Sequence, residues 1–128
     1  MNILQPPGWA QAKGYANGIK ARGAMVFVGG QIGWNAQQQF ESDDFIAQTR
    51  QTLLNVRAVL HASGATWDDL VDVTVYLTDM ARDFKAYNAI WAEFFPDPAG
   101  APCRTTLGIT ALPTPIAIEL KCIAVLKD

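Results

Sequence analysis

Pro102-Cys103-Arg104-Thr105-Thr106-Leu107-Gly108-Ile109, followed after Ala111-Leu112-Pro113-Thr114-Pro115 by Ile116-Ala117-Ile118-Glu119-Leu120-Lys121-Cys122-Ile123-Ala124-Val125, is the stretch on which the fold turns. Both runs are rich in β-branched and aliphatic residues, and two prolines stand between them. This is the pattern of two sheet strands with a tight connection. A charge inside such a run is costly unless it is paired or used. Arg104 and Glu119, one per strand and opposite in sign, are therefore the first candidate site.

Side chains in a strand alternate between faces, so Ala117, Glu119, Lys121, Ile123 and Val125 share one side. Ile116, Ile118, Leu120, Cys122 and Ala124 share the other, which is uniformly apolar and is expected to meet a helix layer. Solvent alone does not select Ile123 and Val125 beside Glu119 and Lys121. That face is expected to be covered as well, by another subunit.

Working back toward the N-terminus, Pro96-Asp97-Pro98-Ala99-Gly100 breaks a helix expected from about Ala81 to Phe95. Phe84, Tyr87, Ile90 or Trp91, and Phe94 recur on one face of it, at the spacing that burial demands. Leu70 to Leu77 alternates as a strand, with Val71, Val73, Val75 and Leu77 on one side, and Thr66-Trp67-Asp68-Asp69 before it reads as a turn or cap. A first helix begins near Ser42-Asp43-Asp44, which offer capping oxygens. Ile46, Leu53, Val56 and Leu60 form its buried stripe, His61 lies in its last turn, and Ser63-Gly64 ends it. Ile19-Lys20-Ala21 and Met25-Val26-Phe27-Val28 look like a hairpin. The second of these runs into Gly29-Gly30-Gln31-Ile32-Gly33, where glycines permit positive φ and close approach of a ligand. No helix of the right kind follows at once, so this is not a dinucleotide fingerprint; it is a loop lining a pocket or a plain turn. The order is β-β-α-β-α-β-β, an α+β fold of one mostly antiparallel sheet with two helices packed on one face, in a single domain spanning 1–128.

Composition narrows the function classes. Of the 128 residues 50% are hydrophobic and only 17% charged, against roughly a quarter in ordinary soluble domains, so some surface is expected to be hidden by oligomerisation. The formal net charge is -2, with no basic run, which argues against a nucleic-acid partner. No stretch has the length of a membrane span, and the start has no secretory pattern. Cys103 and Cys122 lack metal-ligand spacing with His61, the only histidine, and are expected to be free thiols in a reducing cytoplasm. No motif calls for a metal or an organic cofactor.

Lys13-Gly14-Tyr15-Ala16-Asn17-Gly18, Val26-Phe27-Val28-Gly29-Gly30-Gln31-Ile32-Gly33, and Ala101-Pro102-Cys103-Arg104-Thr105-Thr106 through Leu112-Pro113 to Ile118-Glu119-Leu120 together resemble the RidA (YjgF-type) family of enamine/imine deaminases. The resemblance covers nearly the whole chain. It implies a chorismate-mutase-like fold, a homotrimer with three sites at its subunit interfaces, and hydrolysis of 2-iminobutanoate- or 2-iminopropanoate-type compounds to 2-keto acids and ammonia. It also implies roles: Arg104 grips the substrate carboxylate, Glu119 positions or activates water, Tyr15 and Gly30 border the pocket, and Thr106 contacts substrate through its main chain. Where many members carry serine and cysteine, this chain has Gly29 and Thr106, a departure that bears on substrate preference.

The chemistry implied is economical. A guanidinium fixes a carboxylate through two parallel hydrogen bonds, and a carboxyl group in a partly dry cleft can share a water and pass a proton to departing ammonia. Two other readings stand beside it. One is a deaminase dedicated to a pathway, for instance acting on 2-aminomuconate. The other is a non-catalytic trimer that binds small carboxylates, as a sensor or chaperone-like protein. Such a binder needs the arginine but has little need of the glutamate.

Overall fold

The computed structural model describes residues 1–113 and 115–127. Its elements are β1 (Asn2–Leu4), β2 (Gly18–Lys20), β3 (Ala24–Gln31), α1 (Phe45–Ala62), β4 (Leu70–Leu77), α2 (Met80–Phe94), β5 (Cys103–Gly108) and β6 (Ile118–Leu126). Short 3-10 turns at Trp67–Asp69 and Pro98–Gly100 lead into β4 and toward β5. Thr114, in the expected proline-rich turn, and Asp128 lie outside the described residues.

The main sheet has the order β3-β6-β4-β5. Strand β6 runs antiparallel to both β3 and β4, while β5 lies parallel to β4 at the edge. A parallel neighbour requires a crossover, and α2 supplies it. One face of the sheet carries the core: Val28, Val73, Val75, Leu77, Ile118, Leu120, Cys122 and Ala124 meet Leu53, Val56 and Leu60 of α1 and Tyr87, Ile90 and Trp91 of α2. Both helices thus cover the same face. The parity expected for β6 holds, with its even-numbered residues from Ile118 to Ala124 buried against the helices.

Several expectations are corrected. The main sheet is mostly antiparallel, as expected, with β5 parallel to β4, but it is not the single sheet expected: β1 pairs with β2 in a second one. The expected hairpin between Ile19-Lys20-Ala21 and Met25–Val28 does not form. Gly23, at φ 144°, turns the chain so closely against β6 that a Cβ there would lie 1.9 Å from the Leu126 carbonyl oxygen, and β3 pairs with β6 instead. The two C-terminal runs are not neighbours either, because β4 lies between β5 and β6.

Within elements the errors are local. A register shift between Leu70 and Asp72 resets the alternation of β4, so Leu70 rather than Val71 shares the buried side with Val73, Val75 and Leu77. On α1, Ile46 is exposed, and the inward places of the first turns go to Gln48, Thr49 and Thr52. Their polar atoms are satisfied: both threonine hydroxyls donate to the carbonyl four residues back, and Gln48 donates to Ser42 O and Pro115 O while accepting from Ala117 N. On α2 the inward place goes to Asp83, held bidentately by Arg82, and Phe84 is turned to the surface. The ends of α1 are as expected. Asp44 caps its start by accepting from Ala47 N, and Gly64 at φ 84° follows Ser63 at its end.

Candidate functional site

Arg104 stands opposite Val73 in the β4–β5 ladder, so its side chain leaves the sheet on the helix side. There the guanidinium carbon lies 5.2 Å from the ring centre of Trp91, 5.7 Å from that of Tyr87 and 6.0 Å from that of Tyr15. Tyr87 and Trp91 reach it from α2. Tyr15 reaches it from the segment before β2, which is tied to the start of β5 by the Ala16 N–H donating to Pro102 O and by an Ala16–Cys103 bridge. Among the described residues Arg104 makes no ion pair and no side-chain hydrogen bond, so its donors are left unused. Thr106, two residues on and opposite Val75, is half-buried on the same side of β5.

Glu119 occupies different ground. It pairs with Tyr76, so its side chain leaves the sheet on the face away from the helices, and it is half-buried there. Gly30 lies against it: a Cβ on Gly30 would sit 2.9 Å from the carboxyl carbon and 3.0 Å from Oε2. Gly30 thus supplies a place where backbone and carboxylate approach each other, not a positive φ, which neither Gly29, Gly30 nor Gly33 adopts. A Cβ on Gly29 would meet nothing. Gly33 is needed for another reason, since a Cβ there would strike the α1 backbone at Gln48.

The expected site residues therefore fall into two groups. Arg104, Tyr15 and Thr106 gather at the β5 edge on the helix side, while Gly30 and Glu119 gather on the open face. One strand and three ladder positions separate Arg104 from Glu119, which puts their Cα atoms about 14 Å apart with side chains on opposite faces. The expectation that the two charges meet from adjacent strands is corrected: within one chain they do not meet.

The open face is a surface with apolar content. Met25 and Phe27 of β3 and Leu107 of β5 are exposed on it, next to half-buried Ile123. Buried chemistry elsewhere is quiet. Burial raises the Tyr87 hydroxyl's pKa far above its usual value, with Arg104 pulling the other way, and that hydroxyl has no hydrogen-bond partner among the described residues. Burial likewise pushes the Cys122 thiol up to about 12 and raises Cys103, with Asp72 adding to both, so neither is an activated nucleophile. A cleft of about 400 Å³ between α1 and the segment before it, lined by Asn35, Glu41, Gln48 and Arg50 among others, contains none of the expected residues.

Tyr87 and Trp91 were legible from the sequence only as core. Their four-residue spacing on α2 is what burial demands, and nothing in it signals that the buried rings also back an arginine.

Fold and residues together define an α+β protein of the YjgF/RidA type. The profile described as Endoribonuclease L-PSP matches residues 7–126, and the chain belongs to that family. It is 41% identical over 113 residues to Reactive Intermediate Deaminase A of Arabidopsis thaliana, a match covering 88% of this chain and 58% of that protein, less than two thirds of its length. It is 36% identical over 112 residues to 2-iminobutanoate/2-iminopropanoate deaminase of Salmonella typhimurium, covering 87% of this chain and 86% of the relative. Among solved structures, YyfB of the Rid protein family from Yersinia pestis superposes with a TM-score of 0.86 at 26% identity, covering 98% of both chains.

Proposed function

We propose that this chain is an enamine/imine deaminase that hydrolyses small 2-imino acids to 2-keto acids and ammonia, working as a homotrimer in the cytoplasm with each site shared between two copies. The observation that carries the proposal is Arg104: a half-buried guanidinium walled by aromatic rings, with its donors unpartnered among the described residues. An arginine so placed suits the carboxylate of a substrate, which it can hold through two parallel hydrogen bonds. The names of the Arabidopsis and Salmonella relatives support the reaction class.

In the proposed reaction Arg104 holds the carboxylate, and Tyr15 and the main chain at Thr106 border it. Glu119 of a second copy, with its oxygens against Gly30, accepts a proton as water adds to the imine carbon. That proton passes to the imine nitrogen, giving a carbinolamine. Glu119 then takes the carbinolamine's hydroxyl proton and delivers it to the nitrogen as the C–N bond breaks and the C=O bond forms, so a 2-keto acid and ammonia depart. The apolar open face bearing Met25, Phe27, Leu107 and Ile123 gives a second copy a surface to cover. Half of the site lies on each sheet face, so a lone chain would hold a carboxylate without an acid beside it. That observation favours the second reading, a carboxylate binder, for any form in which copies do not associate.

The test couples this protein to threonine dehydratase, which generates 2-iminobutyrate, and follows 2-ketobutyrate while semicarbazide competes for the imine. Faster keto-acid release, lost in Arg104→Ala, is expected. Release equal to that of the uncatalysed imine rules the deaminase out, and light scattering at a monomer mass near the chain's 13.9 kDa rules out the shared site.

A further inference from the structure

Trp91 touches both parts of the arginine's surroundings. Its ring lies 5.2 Å from the Arg104 guanidinium carbon, and its Nε1–H donates to the Gly14 carbonyl at 2.6 Å. Gly14, at φ 79°, stands immediately before Tyr15, the third ring around the guanidinium. The indole itself is fixed, being 2% exposed, packed at a tilt of 32° against Phe95 with centres 4.3 Å apart and flanked by Tyr87 at 6.0 Å. A tryptophan that served the core alone could leave its N–H toward any carbonyl. This one bonds the segment that carries Tyr15.

A guanidinium directs all its N–H groups within its own plane, so a ring packed over that plane leaves them free for another acceptor. Rings packed over it therefore restrain the group without occupying its donors, and they exclude water that would compete for a carboxylate. An aliphatic wall would leave a long arginine side chain free to swing into solvent. We propose that Trp91 is a positioning residue for carboxylate recognition: it holds the Arg104 guanidinium from behind, with Tyr87 as a second backing ring, and through Gly14 it sets Tyr15 at the pocket rim. This rests on the reading of Arg104 as the carboxylate clamp.

The test compares Trp91→Leu, Trp91→Phe and the control Phe94→Leu, whose ring packs on Trp67 rather than on Arg104. Calorimetry with 2-ketobutyrate, steady-state kinetics and the NMR resonance of Arg104 Nε–H are recorded on each folded protein. Trp91→Leu is expected to weaken 2-ketobutyrate binding and raise KM on the order of tenfold, with kcat within about twofold. The Arg104 Nε–H resonance should lose its ring-current shift. Trp91→Phe keeps a ring face but loses the bond to Gly14, and about threefold weaker binding is expected of it. Phe94→Leu should lower Tm with affinity intact. Parental affinity and resonance in folded Trp91→Leu overturn the proposal; should that variant not fold, parental affinity in Trp91→Phe does so. A parent protein that binds no 2-keto acid sinks the clamp reading alone, because the Nε–H resonance still reports whether Trp91 orders Arg104.

Discussion

Replacing Gly30 by alanine separates catalytic geometry from stability. The added methyl would lie 2.9 Å from the Glu119 carboxyl carbon and 3.0 Å from Oε2, whereas ordinary contact begins at 3.4 Å. The φ of Gly30 is one that alanine accepts, and the atoms struck are the far end of a flexible side chain, so the fold absorbs the change by moving the carboxylate. It must retreat by about 0.5 Å or more, and since a 1 Å misplacement of a catalytic group costs on the order of a hundredfold, kcat should fall roughly tenfold. The stability change should stay under about 1 kcal/mol, a Tm shift within roughly 4 °C. Gly33→Ala is the counterpart. Its methyl would lie 2.8 Å from Gln48 Cα and 2.7 Å from Gln48 O, backbone that cannot yield cheaply. Overpacking of that kind costs about 1–3 kcal/mol and should lower Tm by roughly 4–12 °C with kcat nearly intact. Both are measured by the dehydratase-coupled assay and by thermal melting followed by circular dichroism. Parental kcat in Gly30→Ala, or a loss of Tm there matching that of Gly33→Ala, refutes the assignment of Gly30 as the surface that seats the carboxylate.

Arg104→Lys keeps the charge but not the two-pronged donor edge, so 2-ketobutyrate should bind at least about tenfold more weakly by calorimetry. In Glu119→Gln, kcat should fall on the order of a hundredfold or more with Tm unchanged, because the amide cannot take the water's proton. Alkaline pH should destabilise the fold through Tyr87. Burial raises its pKa in the folded state above the unfolded value of about 10, so the native protein prefers the neutral phenol; the stability it contributes is full below that pH and declines above it. In a denaturant midpoint series, the drop above pH 10 should be smaller in Tyr87→Phe, and an equal drop in both proteins contradicts this.

Periodicity carried most of what the sequence revealed. The alternation in β6 correctly assigned Leu120, Cys122 and Ala124 to the core and Glu119 to the other face, because a strand sandwiched by helices on one side leaves that imprint whatever its neighbours are. Neighbours were not legible. Nothing within the Arg104 and Glu119 runs announces that β4 intervenes, since strand order is set by the α2 crossover and by long-range pairing. That is why two opposite charges on consecutive runs looked like one site and lie apart, on opposite faces of the sheet, within a chain. Ile46 and Phe84 fit the helical stripe by polarity, yet Gln48 and Asp83 are buried in their stead once hydrogen bonds to Pro115, Ala117 and Arg82 satisfy them. The single extra residue at Val71 shifts one side chain across the sheet, and no propensity marks it. Arg104, Tyr15 and Thr106 were found together because the family motif names them, not because their spacing shows it.

The central claim is that Arg104 of one copy works with Glu119 of another. Mixing inactive Arg104→Ala and Glu119→Gln proteins, unfolding them together and refolding gives mixed oligomers in which some interfaces combine an intact arginine with an intact glutamate. For random equal mixing in a ring of three, about one quarter of the sites are restored, so the account predicts roughly a quarter of the parental keto-acid release. Mixed oligomers of the proper mass that stay as inactive as the separate variants would contradict it.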